Sequence, residues 1–217
     1  VLFPNSFISA LRLFGSGIDE RIGYANEGRS FMLTKSLKRT KEILNKHMAY
    51  YYLNILTLIG IHYDDVSINL SLTDSAINFA QNFINEKRKD NNSRLIALGI
   101  GSAGGELKRW GANNYIKLAN TLTKDYNSEI VLICAPNEKK LAYEISEGME
   151  DQPIIPIERM TTVMQDCAII KLCDCFIGND SGSMHLAYAV NTTTIGLFFS
   201  TSPKNNYPLG ENSYYIH

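Results

Sequence analysis

From Leu95 to Phe199 short apolar runs alternate with segments whose apolar residues recur every three or four positions. The runs are Leu95–Ile100, Ile130–Ala135, Ile154–Ile157, Cys175–Ile177 and Thr194–Phe199. Between them lie predicted helices near Asn114–Thr123, Glu138–Glu147, Thr162–Cys173 and Ser183–Val190. A strand with no polar face must be covered on both sides, and helical crossovers supply that cover. Right-handed crossovers then give a parallel, Rossmann-like α/β sandwich.

The region before this alternation is less regular. Ser6–Phe14 reads as a helix ended by Gly15 and Gly17, and Glu42–Leu58 carries apolar and tyrosine residues at helical spacing. Thr73 is a candidate N-cap for a helix whose Ala76, Ile77, Ala80, Phe83 and Ile84 share one face. That helix runs into a polar stretch, Glu86 to Ser93, without an apolar residue. The expected domain organisation is therefore 1–86, a linker at 87–93, and 94–217. Val1-Leu2-Phe3-Pro4 opens in an apolar run without an initiator Met, as a chain entered in mid-domain would, and Tyr214-Tyr215-Ile216 resembles the body of a strand.

Bulk properties narrow the partners. A net charge of −1 offers no basic footprint for nucleic acid. No apolar stretch reaches the ~18–20 residues of a membrane span, and no signal peptide opens the chain. Four cysteines, two of them at 173 and 175, suit buried thiols in a reducing cytoplasm better than a disulfide framework.

Ligands of open parallel sheets bind at the carboxyl ends of the strands, where helix N-termini point. Three segments fall there. Gly99-Ile100-Gly101-Ser102-Ala103-Gly104-Gly105 is followed by Lys108-Arg109-Trp110. Its glycines admit close backbone approach, and an exposed Lys108 with little packing would supply charge. A Lys about 4 Å from a phosphate gains roughly 4 kcal/mol at an effective dielectric near 20, before desolvation. Gly178-Asn179-Asp180-Ser181-Gly182-Ser183-Met184-His185 opens a helix, where free N–H groups and the dipole favour an anion, and His185 lies one turn on. Capping by Asp180 or Ser181 is the structural alternative. Ala135-Pro136-Asn137-Glu138 places a carboxylate where the ribose hydroxyls of a nucleotide would sit, or where it merely favours a helix dipole.

Taken together, the glycine loop ending in Lys108-Arg109-Trp110, the run Gly178 to Ala187 and the tail Gly196-Leu197-Phe198-Phe199-Ser200-Thr201-Ser202-Pro203 resemble glycosyltransferase family 9. Val1 to Phe7 and Arg21-Ile22-Gly23-Tyr24 look like the later part of the acceptor domain of lipopolysaccharide heptosyltransferases. The resemblance implies an α/β fold of GT-B type, two Rossmann-like domains facing a cleft with the first incomplete here. It implies inverting transfer of heptose from ADP-heptose to the lipopolysaccharide inner core, in the cytoplasm and at the inner membrane face. The nucleotide sugar is a substrate, so no cofactor or metal is implied. Carried over by position, Lys108 holds the diphosphate and Asp180 faces the sugar or leaving group; Gly101, Ser102, Ser181, Gly182 and His185 line the donor, and Glu138 holds the ribose.

Two departures stand out. The family's catalytic base is an Asp in a glycine-containing loop near the true N-terminus, and nothing in Val1–Asn26 matches it, so this fragment is expected to lack its base. Ile100 stands where a Pro is usual, and Ala103–Gly105 add small residues to the loop. Three other readings compete: a nucleotide-sugar-binding fragment without turnover, a dinucleotide-dependent oxidoreductase using Gly99, Gly101 and Gly104, and a Ser-His-Asp hydrolase. The oxidoreductase needs a helix opening at the glycines and an acid after the next strand; Asp125 precedes that strand.

Overall fold

The computed structural model describes residues 1–64, 66–102 and 105–217. Ala103 and Gly104, and with them part of the Gly99/Gly101/Gly104 spacing, lie outside the described residues. The chain divides into two compact units, Val1–Val66 with Lys204–Asn206, and Ser67–Pro203 with Tyr207–His217.

In the first unit, α1 (Phe7–Gly15) starts at Ser6, whose hydroxyl accepts from Ser9 N. Strands β1 (Ile22–Ala25) and β2 (Lys35–Lys38) pair in parallel. The helix expected over Glu42–Leu58 is instead broken into α2 (Lys41–Leu44), α3 (Met48–Leu53) and a 3-10 turn at Asn54–Ile59. Thr40 caps the first piece and the His47 ring the second, so each start has its own acceptor for orphan N–H groups. Arg29 is fully buried and donates to the carbonyls of Tyr24, Pro4 and Ser6, pinning the first residues of the chain to β1.

The second unit opens with α4 (Asp74–Lys87), capped by Thr73 as its sequence indicates. Strand β3 (Arg94–Gly99) leads to α5 (Ala112–Tyr126), β4 (Ser128–Ile133), α6 (Lys139–Gly148) and α7 (Val163–Leu172). Then follow β5 (Cys175–Asn179), α8 (Gly182–Ala189), β6 (Thr194–Leu197) and β7 (Ser213–Ile216). The sheet order is β4-β3-β5-β6-β7 with every pairing parallel. Both faces are dry. Leu95, Ala97, Val131 and Ile133 point into a core with α4 and α7, while Ile96, Leu98, Ile130 and Leu132 point into one with α5 and α6. This two-sided burial is why the strands read as unbroken apolar runs.

Two expectations differ from the structure. The segment 87–93, taken as a linker between domains, lies inside the second unit, because Ala76, Ala80, Phe83 and Ile84 of α4 are buried in the same core as α7. Glu129 reinforces this by accepting from Lys89 N, Asp90 N and Ser93 Oγ. Ile154–Ile157 is not a strand. Ile154 makes a single bridge to Val131, and Pro156, which has no N–H to give a ladder, opens a 3-10 turn through Arg159. Among the described residues no helix is long and apolar enough to cross a membrane.

Candidate functional site

Strand order reverses between β3 and β5, the place where parallel sheets of this kind open a crevice. The three segments singled out by sequence meet there. Asn179, the last residue of β5, is fully buried and joins them: its Nδ2 donates to Ile100 O (3.0 Å) and Gly101 O (3.3 Å), and its Oδ1 accepts from Trp110 N (3.1 Å). One amide thus ties both ends of the glycine loop to the sheet. The loop does not open a helix at its glycines; a 3-10 turn at Glu106–Lys108 intervenes and α5 begins at Ala112. Asp125 lies within α5, so the oxidoreductase arrangement is absent among the described residues.

Consecutive basic residues of this loop reach two buried carboxylates. Lys108 Nζ lies 2.7 Å from Asp180 Oδ2, which also accepts from Thr201 Oγ1 at 2.9 Å. Lys108 is therefore an ion-pair partner and not the freely solvated side chain expected of a glycine loop. Arg109 Nη2 lies 3.0 Å from Glu138 Oε1, which accepts also from Ser102 N at 2.8 Å, while Oε2 accepts from Ala135 N at 3.1 Å. Gly101 packs on this carboxylate so tightly that a Cβ there would stand 1.8 Å from Glu138 Oε2. Neither Asn179 nor Arg109 was singled out individually by sequence. Their signal was adjacency: each stands next to a residue that was, and only the fold turns that adjacency into contact.

Ser181 is the N-cap residue of α8 by position, yet its side chain does not cap the helix; its Oγ meets Ser183 Oγ at 2.9 Å. Capping by Ser181, the structural alternative for this motif, is thus not realised, and Gly182 has open space where a Cβ would stand. A positive dipole end remains for an outside anion. His185 Nδ1 is 3.1 Å from Tyr188 Oη, with the two rings edge to face. Ser181 and His185 therefore engage other partners, unlike a hydrolase pair. Burial holds the His185 pKa below its ordinary value; nearby Asp180 opposes that and Lys108 adds to it.

Beside the helix start lies a cavity of about 340 Å³, lined by Gly101, Ser102, Glu138, Ser181 and Gly182 together with apolar residues of β4, α7 and α8. Cys134 borders it with its thiol pKa pushed up to about 12, by burial above all and by the charges of Glu138 and Asp166. The volume falls at the small end of ligand pockets. Of the predicted site residues, Gly101, Ser102, Glu138, Ser181 and Gly182 line the cavity, and Lys108, Asp180 and His185 form a charged cluster adjoining the start of α8.

The sequence profile described as "Glycosyltransferase family 9 (heptosyltransferase)" matches residues 1–217. Lipooligosaccharide heptosyltransferase 2 of Campylobacter jejuni is 28% identical over 236 residues, covering 99% of this chain and 72% of the relative. Lipopolysaccharide heptosyltransferase 2 of Escherichia coli is 25% identical over 221 residues, covering 98% of this chain and 62% of the relative. Among solved structures, E. coli ADP-heptose lps heptosyltransferase II superposes with a TM-score of 0.78 at 24% identity, over 98% of this chain and 66% of that one. The glycosyl transferase family 9 structure from Veillonella parvula gives 0.81 at 22%, over 99% and 60%. These likenesses carry the fold, the α/β architecture of GT-B type, and the chain spans about two thirds of the proteins it resembles.

Proposed function

Because this chain belongs to glycosyltransferase family 9, we propose that it carries the donor site of an inverting transferase that takes heptose from ADP-heptose to the lipopolysaccharide inner core. One observation supports this above the others: an α8 start that its own Ser181 leaves uncapped, with the Lys108–Asp180 pair at its threshold. The diphosphate would accept from the first N–H groups of α8, and Lys108 would swing from Asp180 to share its charge. As the glycosidic bond stretches, negative charge gathers on the departing ADP. Lys108 and the helix dipole then stabilise the transition state more than the ground state. Asp180, freed from Lys108, faces the sugar. The nucleoside occupies the adjoining cavity, with Glu138 at its ribose end. The relatives' names, which give lipopolysaccharide or lipooligosaccharide, support the class of acceptor. The inner core as the acceptor and the cytoplasmic face of the inner membrane as the setting are part of the proposal.

Calorimetry with matched nucleotides tests the donor. ADP and ADP-sugars are expected to bind more tightly than UDP, GDP or NAD. UDP binding as tight as ADP overturns the ADP assignment.

A further inference from the structure

Two adjacent phenylalanines close β6 in opposite surroundings. Phe198 is 1% exposed in the core, whereas Phe199 is 47% exposed at the carboxyl end of the sheet. Phe199 lies parallel to half-buried Trp110, with 8° between the rings and 6.4 Å between their centroids. Trp110 is itself held in place: its N–H donates to buried Asn179, and Tyr115 meets its ring edge to face at 5.3 Å. The two loops that carry this pair also carry the charged cluster. Lys108 and Trp110 alternate on the glycine loop, and Phe199 and Thr201 alternate after β6. Lys108 and Thr201 converge on Asp180 Oδ2, while Trp110 and Phe199 stack on each other. An exposed, flat, apolar surface thus adjoins a carboxylate, an ammonium and a hydroxyl. Neither ring is among the described residues that line the nucleoside cavity, so the base is not their occupant. A phosphate is not either, because the face of an aromatic ring is negative. A pyranose has both parts that this surface calls for. Its C–H bonds suit an aromatic face, and the hydroxyls on its rim need hydrogen-bond partners.

We propose that Phe199, backed by Trp110, is the shelf on which the sugar ring of the donor stacks, with Asp180 accepting from hydroxyls at the rim. Phe199 is then a specificity-determining residue, favouring a nucleotide that carries a sugar ring over the bare nucleotide. A ring already fixed by its neighbours loses little freedom when the sugar arrives, so the contact is retained in the net affinity. The proposal rests on the donor reading above, in which Asp180 faces the sugar.

Trp110 is the one tryptophan of the chain, so its emission reports on this shelf directly. In the wild-type chain ADP-heptose should shift that emission to the blue by covering the rings, and ADP should shift it much less. Calorimetry then compares ADP-heptose with ADP on Phe199→Leu and Phe199→Tyr, with thermal unfolding to confirm that each variant is folded. Phe199→Leu keeps an apolar side chain without the flat ring. It should weaken ADP-heptose about fivefold, the scale of one aromatic contact, and change ADP by less than about twofold. Phe199→Tyr keeps the ring and should hold ADP-heptose within about twofold of wild type. Equal losses for both ligands in Phe199→Leu, or none, overturn the shelf while leaving the ADP site standing. A Phe199→Tyr loss as large as that of Phe199→Leu overturns stacking as its cause. Emission that answers to a core oligosaccharide and not to ADP-heptose overturns the assignment to the donor's sugar. Failure of wild type to bind either ADP or ADP-heptose overturns this proposal together with the donor reading. If Phe199→Leu does not fold, the wild-type emission decides: equal shifts with ADP and ADP-heptose overturn the shelf, and a shift that needs the sugar supports it.

Discussion

Glu138 and Asp180 are two buried carboxylates beyond the ends of β4 and β5, the strands on either side of β3, each paired with one of two consecutive basic residues, and they are held quite differently. Glu138 accepts from two backbone amides, Ser102 N and Ala135 N, as well as Arg109, and Gly101 presses on it from one side. Among the described residues, Asp180 accepts from two side chains, Lys108 and Thr201. Backbone donors cannot leave without unmaking the loop, whereas side-chain donors need only change rotamer. Glu138 is therefore part of the architecture of the glycine loop, and the Lys108–Asp180 pair is the exchangeable element that a ligand's charge can rearrange. Burial alone, nearly the same for both carboxylates, does not separate the roles; the kind of donor does.

The contrast can be broken most sharply at Gly101. Gly101→Ala would put a methyl group into Glu138 and force the carboxylate off its three donors. Leaving a buried charge unpartnered costs about 3–5 kcal/mol, so urea denaturation should show a large loss of stability. An unchanged midpoint would mean that Glu138 is as movable as Asp180.

Lys108→Ala should act in between. It leaves Asp180 with Thr201 alone, which should destabilise the fold by about 1–3 kcal/mol. ADP binding should fall by roughly 1.5–3 kcal/mol, the range for a hydrogen bond to a charged group, with a smaller loss for AMP. Calorimetry and denaturation on the same variant measure both effects. Unaltered ADP affinity with reduced stability would make Lys108 as architectural as Arg109.

The smallest effect sharpens the comparison by pH. His185 adjoins Asp180 and its pKa is lowered in the folded chain, chiefly by burial. The unfolded chain, with His near 6.5, then binds the proton more readily, so stability is lost as pH falls through about 6.5 and is regained above it. His185→Gln should flatten this part of the stability curve. A wild-type curve already as flat as the variant's between pH 7.5 and 5.5 would remove His185 from the charged cluster.

Much of this was legible beforehand, for identifiable reasons. Strands β3 and β4 are buried on both faces, so Leu95–Ile100 and Ile130–Ala135 announced themselves within two residues of their ends. Thr73 declared its helix because the cap is a local interaction. Tertiary choices were not visible. Nothing in the polar run after α4 shows that Glu129, distant in sequence, gathers its amides into the second unit. Nor does Glu42–Leu58, periodic throughout, show that His47 stops and restarts the helix. At the site, the residue types expected around a diphosphate were readable in Lys108, Asp180 and the α8 start. The pairing between Lys108 and Asp180 was not, because it depends on a loop folding back across the sheet.

The Asn179 joint also bears on how the molecule ages. An asparagine is lost when the next residue's backbone nitrogen attacks its side-chain carbonyl and ammonia departs, leaving an aspartate or its isomer. Here that nitrogen, Asp180 N, is engaged with Leu197 O at 3.1 Å, and the departing Nδ2 is tied to two carbonyls. Both reacting groups are restrained in a buried strand end. The product would carry a third carboxylate where two donor hydrogens are needed, so the one-atom change most damaging to this site is also one its geometry resists.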